Sequence, residues 1–204
     1  MSEIPYSQQT MNNKMKKFRS KNYKLKPNDK IYTPKAVAEL MIKMCTIKPT
    51  DKVLDPSLGG GVFYDNLPPC TKEFCEIEKG IDFFDASGEY SLIIGNPPYS
   101  LWNAWLNKTM ELTNKLCFLW GIMNFTHHRM NRILEQGYVL THYHLLKVSY
   151  WFSHHVIVIF EKCDPATLCK ITVSGKEFKC ECGKRCGRGA GGKNYNICGN
   201  LQKI

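Results

Sequence analysis

The sequence predicts an α/β fold: a mostly parallel sheet with helices on both faces. Three observations support it. Short apolar runs of strand length alternate along the chain with segments of helical periodicity, as in a sheet wound between helices. The run Ser91-Leu92-Ile93-Ile94-Gly95 is apolar without alternation, as a buried strand must be. The turns that follow the strands carry glycine, proline and carboxylates, and ligands of open α/β sheets bind beyond strand C-termini.

Residues 1–30 are rich in Lys and Asn and lack apolar periodicity, so they read as a flexible basic arm. Thr33-Pro34 has the form of an N-cap followed by proline at the first helical position. Val37, Leu40, Met41 and Met44 then recur at helical spacing. Lys52-Val53-Leu54-Asp55 is a short strand, Gly59-Gly60-Gly61 opens a brief helix reaching Leu67, and Phe74-Cys75-Glu76-Ile77 is a second strand. Ser91 to Gly95 is the third, ending at Asn96-Pro97-Pro98-Tyr99. The two prolines fix φ and remove two backbone donors, so neither ladder nor helix can continue through that turn. A helix is predicted over 100–114, with Leu101, Trp102, Trp105 and Leu106 on one face. A buried strand over Leu116–Trp120 follows, then a helix over 126–136 with Gly137 as its C-cap. Paired strands over 139–151 and 156–161, joined near Ser153-His154, complete the sheet. Trp102 and Trp105 read as core rather than as stacking platforms, and Trp120 and Trp151 as strand residues packed inside. His127-His128 and His154-His155 read as surface or hairpin histidines before phosphate or metal contacts.

A chain of 204 residues holds one ordinary domain with a sizeable core and some further chain. The formal net charge of +10 is unevenly placed: net +6 over residues 1–30, +6 over 162–204 and −2 over 31–161. A near-neutral body with basic ends calls for a polyanionic partner, in the first instance nucleic acid. The start shows no secretory pattern, and the longest purely aliphatic and aromatic run, Val156 to Phe160, is far too short to span a bilayer. The expected location is therefore the cytoplasm, or the nucleus of a eukaryote, with no membrane attachment. In a reducing compartment the ten cysteines are expected as thiols rather than disulfides. The oligomeric state is not legible.

The chemistry lies in the strand-end turns. In Asp55-Pro56-Ser57-Leu58-Gly59-Gly60-Gly61 the glycines let backbone approach a ligand, and the carboxylate can accept a hydrogen bond from it. The spacing is neither that of a phosphate loop nor that of Gly-x-Gly-x-x-Gly. Glu76, at the end of the next strand, is placed to hold two ribose hydroxyls. Asp82 and Phe83 offer an acceptor and a ring for a planar base. In Asn96-Pro97-Pro98-Tyr99, an amide oxygen and a neighbouring carbonyl can accept both hydrogens of an exocyclic amine, while the phenol ring stacks on its base.

Taken in this order, the motifs resemble the S-adenosylmethionine-dependent amino-methyltransferases, in particular the adenine-N6 DNA methyltransferases. The resemblance covers residues 31–161. Its sharpest parts are Asp55-Pro56-x-x-Gly59-x-Gly61 and Asn96-Pro97-Pro98-Tyr99. Tyr32-Thr33-Pro34 matches an element ahead of the glycine loop in the class whose cofactor motifs precede the catalytic motif. The resemblance implies a Rossmann-like class I methyltransferase domain, with a mostly parallel seven-stranded sheet and an antiparallel C-terminal strand. It also implies S-adenosylmethionine as cofactor and the N6 amine of a flipped adenine as acceptor, in DNA before RNA. Tyr32 and Thr33 would lie near the methionine end of the cofactor, and Asp55, Ser57, Gly59 and Gly61 along its methionine and ribose. Glu76 would take the ribose hydroxyls, and Asp82 and Phe83 the adenine. Asn96 and the Pro97 carbonyl would accept from the target amine, Pro98 would stiffen the turn, and Tyr99 would stack on the flipped base. The stretch from Glu76 to Asp82 is too short for the family's usual intervening helix, so Glu78 competes with Glu76 and Phe84 with Phe83. The intact motif set argues against the alternative of a catalytically idle nucleic-acid-binding protein.

Residues 162–204 form a basic, Cys-rich tail in which Cys180, Cys182, Cys186 and Cys198 fall within nineteen residues. Four thiolates suit a tetrahedral structural zinc, although the spacing departs from paired Cys-x-x-Cys; Cys163 and Cys169 are alternative ligands, and free thiols the alternative state. The tail's charge suits sequence-independent phosphate contacts.

Overall fold

The computed structural model describes residues 31–149, 151, 153–164 and 170–173. The basic arm and the four candidate zinc ligands Cys180, Cys182, Cys186 and Cys198 lie outside the described residues. Among the described residues, no group of three or more His, Cys, Asp or Glu is placed to hold a metal ion.

The sheet has seven strands: β1 (Lys52–Asp55), β2 (Thr71–Phe74), β3 (Leu92–Gly95), β4 (Lys115–Gly121), β5 (Val139–Leu146), β6 (His155–Glu161) and β7 (Lys170–Val173). Their order across the sheet is β2-β1-β3-β4-β6-β5-β7. The pairs β1–β2, β1–β3, β3–β4 and β5–β7 are parallel, and β6 alone runs antiparallel to its neighbours β4 and β5. The expected mostly parallel sheet with one reversed C-terminal strand is thus present.

Alternation in the central strands divides the core in two. Leu116, Phe118 and Trp120 of β4, with Val156, Val158 and Phe160 of β6, face one side. There they meet α3 (Trp102–Leu112), through Trp102, Trp105, Leu106 and Leu112, and Ile133 of α4 (His127–Leu134). Cys117, Leu119, Ile157 and Ile159 face the other side. There α1 (Lys35–Cys45) lays down Val37, Ala38, Met41 and Cys45, and α2 (Val62–Asn66) adds Phe63. Each Val, Leu, Ile, Phe or Met among them, fully buried, contributes roughly 1.5–3 kcal/mol of transfer free energy. Continuous apolar strands with helices on both faces are what a doubly covered sheet requires.

Several boundaries differ from those expected, each for a local reason. The N-cap of α1 is Pro34, whose carbonyl accepts from the Val37 and Ala38 amides at 3.0 and 3.1 Å, while Thr33 is 5% exposed and makes no cap. Strand β2 ends at Phe74, before Glu76: the Cys75 amide still donates to the Asp55 carbonyl, but the Cys75 carbonyl accepts from Leu58 of the loop after β1, both at 2.9 Å. Helix α3 starts at Trp102 after a 3₁₀ turn over Tyr99–Leu101. Strand β5 stops at Leu146, and Trp151 packs from the connecting loop onto His155, ring centroids 4.4 Å apart. Strand β7, within the stretch read as a Cys-rich tail, joins the sheet at the edge of β5, so the sheet extends past residue 161.

The compression between Glu76 and Asp82 is plain in the fold. Only a 3₁₀ turn over Ile77–Lys79 and an antiparallel bridge between Glu76 and Ile81 fill it. Gly80, at φ +76°, closes that turn in the left-handed region that glycine tolerates. Among the described residues no strand is added beyond it, and β2 is an edge of the sheet.

Candidate active site

The strand ends and the turns after them enclose one cleft of about 780 Å³ including its open mouth, a size suited to a small-molecule ligand. Its walls include Tyr32, Ser57, Gly59, Glu76, Asp82, Phe83, Asn96 and Pro98. Residues separated by up to 66 positions in sequence, all singled out by motif, thus share one surface.

The glycine loop forms the floor. Gly59, at φ +50°, donates its amide to the Glu76 carboxylate at 2.7 Å. The other oxygen of Glu76 accepts from the Glu78 amide at 3.1 Å. One carboxylate therefore ties the loop after β1 to the turn after β2. A carboxylate has about four acceptor positions, so two remain for a ligand hydroxyl. The Tyr32 ring lies over the loop: a Cβ at Gly60 would stand 3.3 Å from it, and one at Gly59 3.6 Å. Gly61, at φ +80°, holds a left-handed conformation that favours glycine, and a Cβ there would push aside the Asp65 carboxylate, 2.9 Å away.

Asp55 is wholly buried beneath this loop. One carboxylate oxygen accepts from the Ser57 amide at 3.2 Å and the other has no protein partner. Burial drives its pKa up to about 7, against the pull of that hydrogen bond. On the opposite wall, Phe83 stacks on Trp105 with centroids 4.5 Å apart and planes at 29°. Asp82 caps the 3₁₀ turn over Phe83–Asp85 by accepting from the Phe84 amide at 2.9 Å. Of the competing aromatics, Phe83 lines the cleft and Phe84 packs behind it, edge-on to Trp105.

At the Asn-Pro-Pro-Tyr turn, the Asn96 amide group donates to the Ile31 carbonyl at 3.3 Å. This bond fixes which way the amide faces and leaves Oδ1 as a buried acceptor with no protein partner. The Ser57 hydroxyl meets the Asn96 carbonyl at 3.5 Å, joining the two motif loops. Pro97 and Pro98 are buried. Tyr99 stands on the far side of the turn, its ring 3.4 Å from where a Cβ of Gly121 would be and 6.0 Å, centroid to centroid, from Trp102. Burial raises the phenol pKa, which keeps Tyr99 protonated. Thr33, Asp55, Gly61, Pro97 and Tyr99 thus support or flank the cleft without forming its wall.

The structure adds residues that sequence reading did not assign to the site. Trp105, read as core, is both core and cleft wall. Ile77 and Ile81, 47% and 43% exposed, put apolar surface at the rim, and Ile31, Pro56 and Leu101 complete the lining. Helical spacing marked the Trp105 face as buried, but which part of that face a cleft reaches depends on where the neighbouring strand ends.

The distribution of unsatisfied polar atoms points to the same place. Asp55 Oδ2, Asn96 Oδ1, the indole nitrogens of Trp102, Trp105 and Trp120, and His155 Nδ1 are buried without a protein partner. Each costs about 1–3 kcal/mol, and native proteins hold few of them. Asp55 closes β1, Asn96 follows β3, Trp102 and Trp105 open α3, Trp120 sits near the end of β4, and His155 pairs with the last residue of β4. All lie at the end of the sheet where ligands of open α/β folds bind.

No family model and no curated protein matches the sequence. Solved structures do match the fold. One, assigned as a class I S-adenosylmethionine-dependent methyltransferase from Listeria monocytogenes, superposes with a TM-score of 0.57 at 12% identity, over 83% of this chain and 71% of that one. One assigned as an RNA methyltransferase from Pyrococcus horikoshii gives a TM-score of 0.53 at 19% identity, over 70% and 91%. The methyltransferase subunit of a type I restriction-modification system from Streptococcus thermophilus gives 0.57 at 14% identity, over 74% of this chain and 50% of that one. In strand order, in the single reversed strand and in superposition, this chain has the Rossmann-like fold of the class I methyltransferases.

Proposed function

We propose that this protein transfers a methyl group from S-adenosylmethionine to the N6 amine of a flipped adenine in DNA. The observation that carries the reading is Asn96: an amide held by its nitrogen, with its oxygen left as a buried acceptor at the end of β3. An exocyclic amine is a donor that such an oxygen can satisfy, and the Pro97 carbonyl in the stiff turn supplies a second acceptor.

The residues around the cleft suit the cofactor. Gly59 presents backbone at the cleft wall beneath the Tyr32 ring, and Glu76 retains acceptor capacity for hydroxyls. The stacked Phe83 and Trp105, with Asp82 beside them, suit an aromatic base with an amino group. Bound there, S-adenosylmethionine supplies an electrophilic methyl group on a sulfonium. The chain's own part is positioning. Asn96 and the Pro97 carbonyl accept the two amine hydrogens and so aim the nitrogen lone pair, Tyr99 supports the base, and the proline pair holds these groups at fixed separation. Orientation of this kind accounts for a large share of rate enhancement in bimolecular transfers. The basic ends support a nucleic acid as the bearer of the amine over a protein side chain.

The test is transfer of labelled methyl from S-adenosylmethionine to unmodified DNA by the full chain. We expect transfer, abolished by Asn96→Ala with cofactor affinity retained. Product on RNA and none on DNA would move the substrate to RNA, where the same turn meets the same base. Absence of cofactor binding in calorimetry would overturn the enzyme reading.

A further inference from the structure

The strand-end turns differ in charge from one side of the sheet to the other. The β1–β2 side carries Glu76, Glu78 and Asp82. On the β4 side, no Asp or Glu occurs from Leu116 to Leu134, while His127, His128, Arg129 and Arg132 all fall within α4. A polyanion is repelled by the first side and tolerated by the second, within a body that is otherwise net negative.

At the tip of the β4 side, the 3₁₀ turn Ile122–Asn124 projects directly after Gly121, whose backbone abuts the Tyr99 ring. Met123 is 79% exposed and Ile122 36%; Met123 has the greatest exposure among the large apolar residues described. The turn is pinned on both sides of that methionine. The Ile122 amide donates to the His154 carbonyl at 3.1 Å. Arg129 donates to the Asn124 carbonyl and side-chain oxygen at 2.9 and 3.0 Å, and to Asn103 of α3 at 3.2 Å. Phe125, next in sequence, is locked between Trp120 and Tyr143, with centroids 5.5 and 5.4 Å away. A flexible apolar side chain is thus held out from a fixed base, beside the residue read as the target-base platform.

We propose that Met123 is a wedge that enters the base stack of a DNA duplex and fills the space left by the flipped adenine, while α4 follows the adjoining phosphates. Proteins that distort duplexes insert apolar side chains, methionine included, between base steps. The proposal rests on the base-flipping reading above, and it explains why an apolar side chain is presented to water just past the glycine that lies against Tyr99.

The experiment compares the full chain with Met123→Ala and Met123→Leu on two duplexes. One carries the unmodified target adenine opposite thymine, the other the same adenine opposite an abasic position, where no partner holds it in the stack. Met123→Ala is expected to lower kcat/KM at least tenfold on the paired duplex and less than threefold on the abasic one. Cofactor affinity should be unchanged, and Met123→Leu should restore most of the paired-duplex rate. Equal rates for Met123→Ala and the parent chain on paired DNA would overturn the wedge, as would equal losses on both duplexes. Absence of transfer by the parent chain on either duplex would overturn the enzymatic reading and the wedge with it.

Discussion

Asp55 and His155 are two buried titratable groups at the same end of the sheet, pushed in opposite directions by the same cause. Burial raises Asp55 to about 7 and lowers His155 to about 4, each toward its neutral form. For Asp55 the folded state binds more protons than the unfolded state from about pH 4 to pH 7, so its contribution to stability falls as pH rises through that window. For His155 the unfolded state binds more protons between about pH 4 and 6.5, so its contribution rises with pH. The two slopes oppose each other. Removing one exposes the other: Asp55→Asn should gain stability relative to the parent chain as pH rises from about 4 to 7. Paired urea titrations across that range, without cofactor, measure the difference. An unchanged difference in midpoint would mean that Asp55 is ionised throughout. Asn96 shows the same principle without titration. Its oxygen is left unmatched because its nitrogen is already spent on Ile31.

At the scale of elements, the site depends on loops that lock one another. The turn after β2 is too short to hold itself in place by packing. It is held by Glu76, which takes one amide from the glycine loop and one from its own 3₁₀ turn. Hydrogen bonds to a charged acceptor are worth about 1.5–3 kcal/mol when sheltered and less when exposed. Glu76→Ala should therefore weaken S-adenosylmethionine binding by about tenfold or more, through loss of both the loop geometry and the hydroxyl acceptors. Glu78→Ala should weaken it far less, because Glu78 meets the Glu76 carboxylate through its backbone amide, which alanine keeps. Calorimetric titration of both variants separates these two candidate ribose ligands; a larger loss in Glu78→Ala would exchange their roles.

For the whole molecule, charge is separated along the chain: the folded body is net negative and the two ends are each net +6. If the ends supply phosphate contacts, the logarithm of DNA affinity should fall steeply with the logarithm of salt concentration, by about 0.9 per contact. Deleting residues 1–30 should make that slope shallower while leaving cofactor affinity unchanged. Fluorescence anisotropy over a salt series reads the slope directly. An unaltered slope would assign the phosphate contacts to the body and the C-terminal tail. No described helix is long and apolar enough to cross a membrane, so the positive ends do not flank a helical span among the described residues.

Local patterning was enough to read the alternation of strands and helices, the parallel character of the sheet and the turns where chemistry collects. It was enough because hydrophobic period, proline and glycine act locally. Asn96-Pro97-Pro98-Tyr99 and the glycine loop were legible for that reason, as was the compression between Glu76 and Asp82, which is a matter of length alone. Tertiary structure decided what depends on meetings between distant residues. It chose Phe83 over Phe84 for the cleft, turned Trp105 from core residue into wall, and stopped β5 at Leu146 so that Trp151 could pack on His155. It also added β7 to an edge and left Met123 exposed in the turn after β4. None of these follows from periodicity, because each is set by which surfaces the folded sheet brings together and which buried atoms it leaves without a partner.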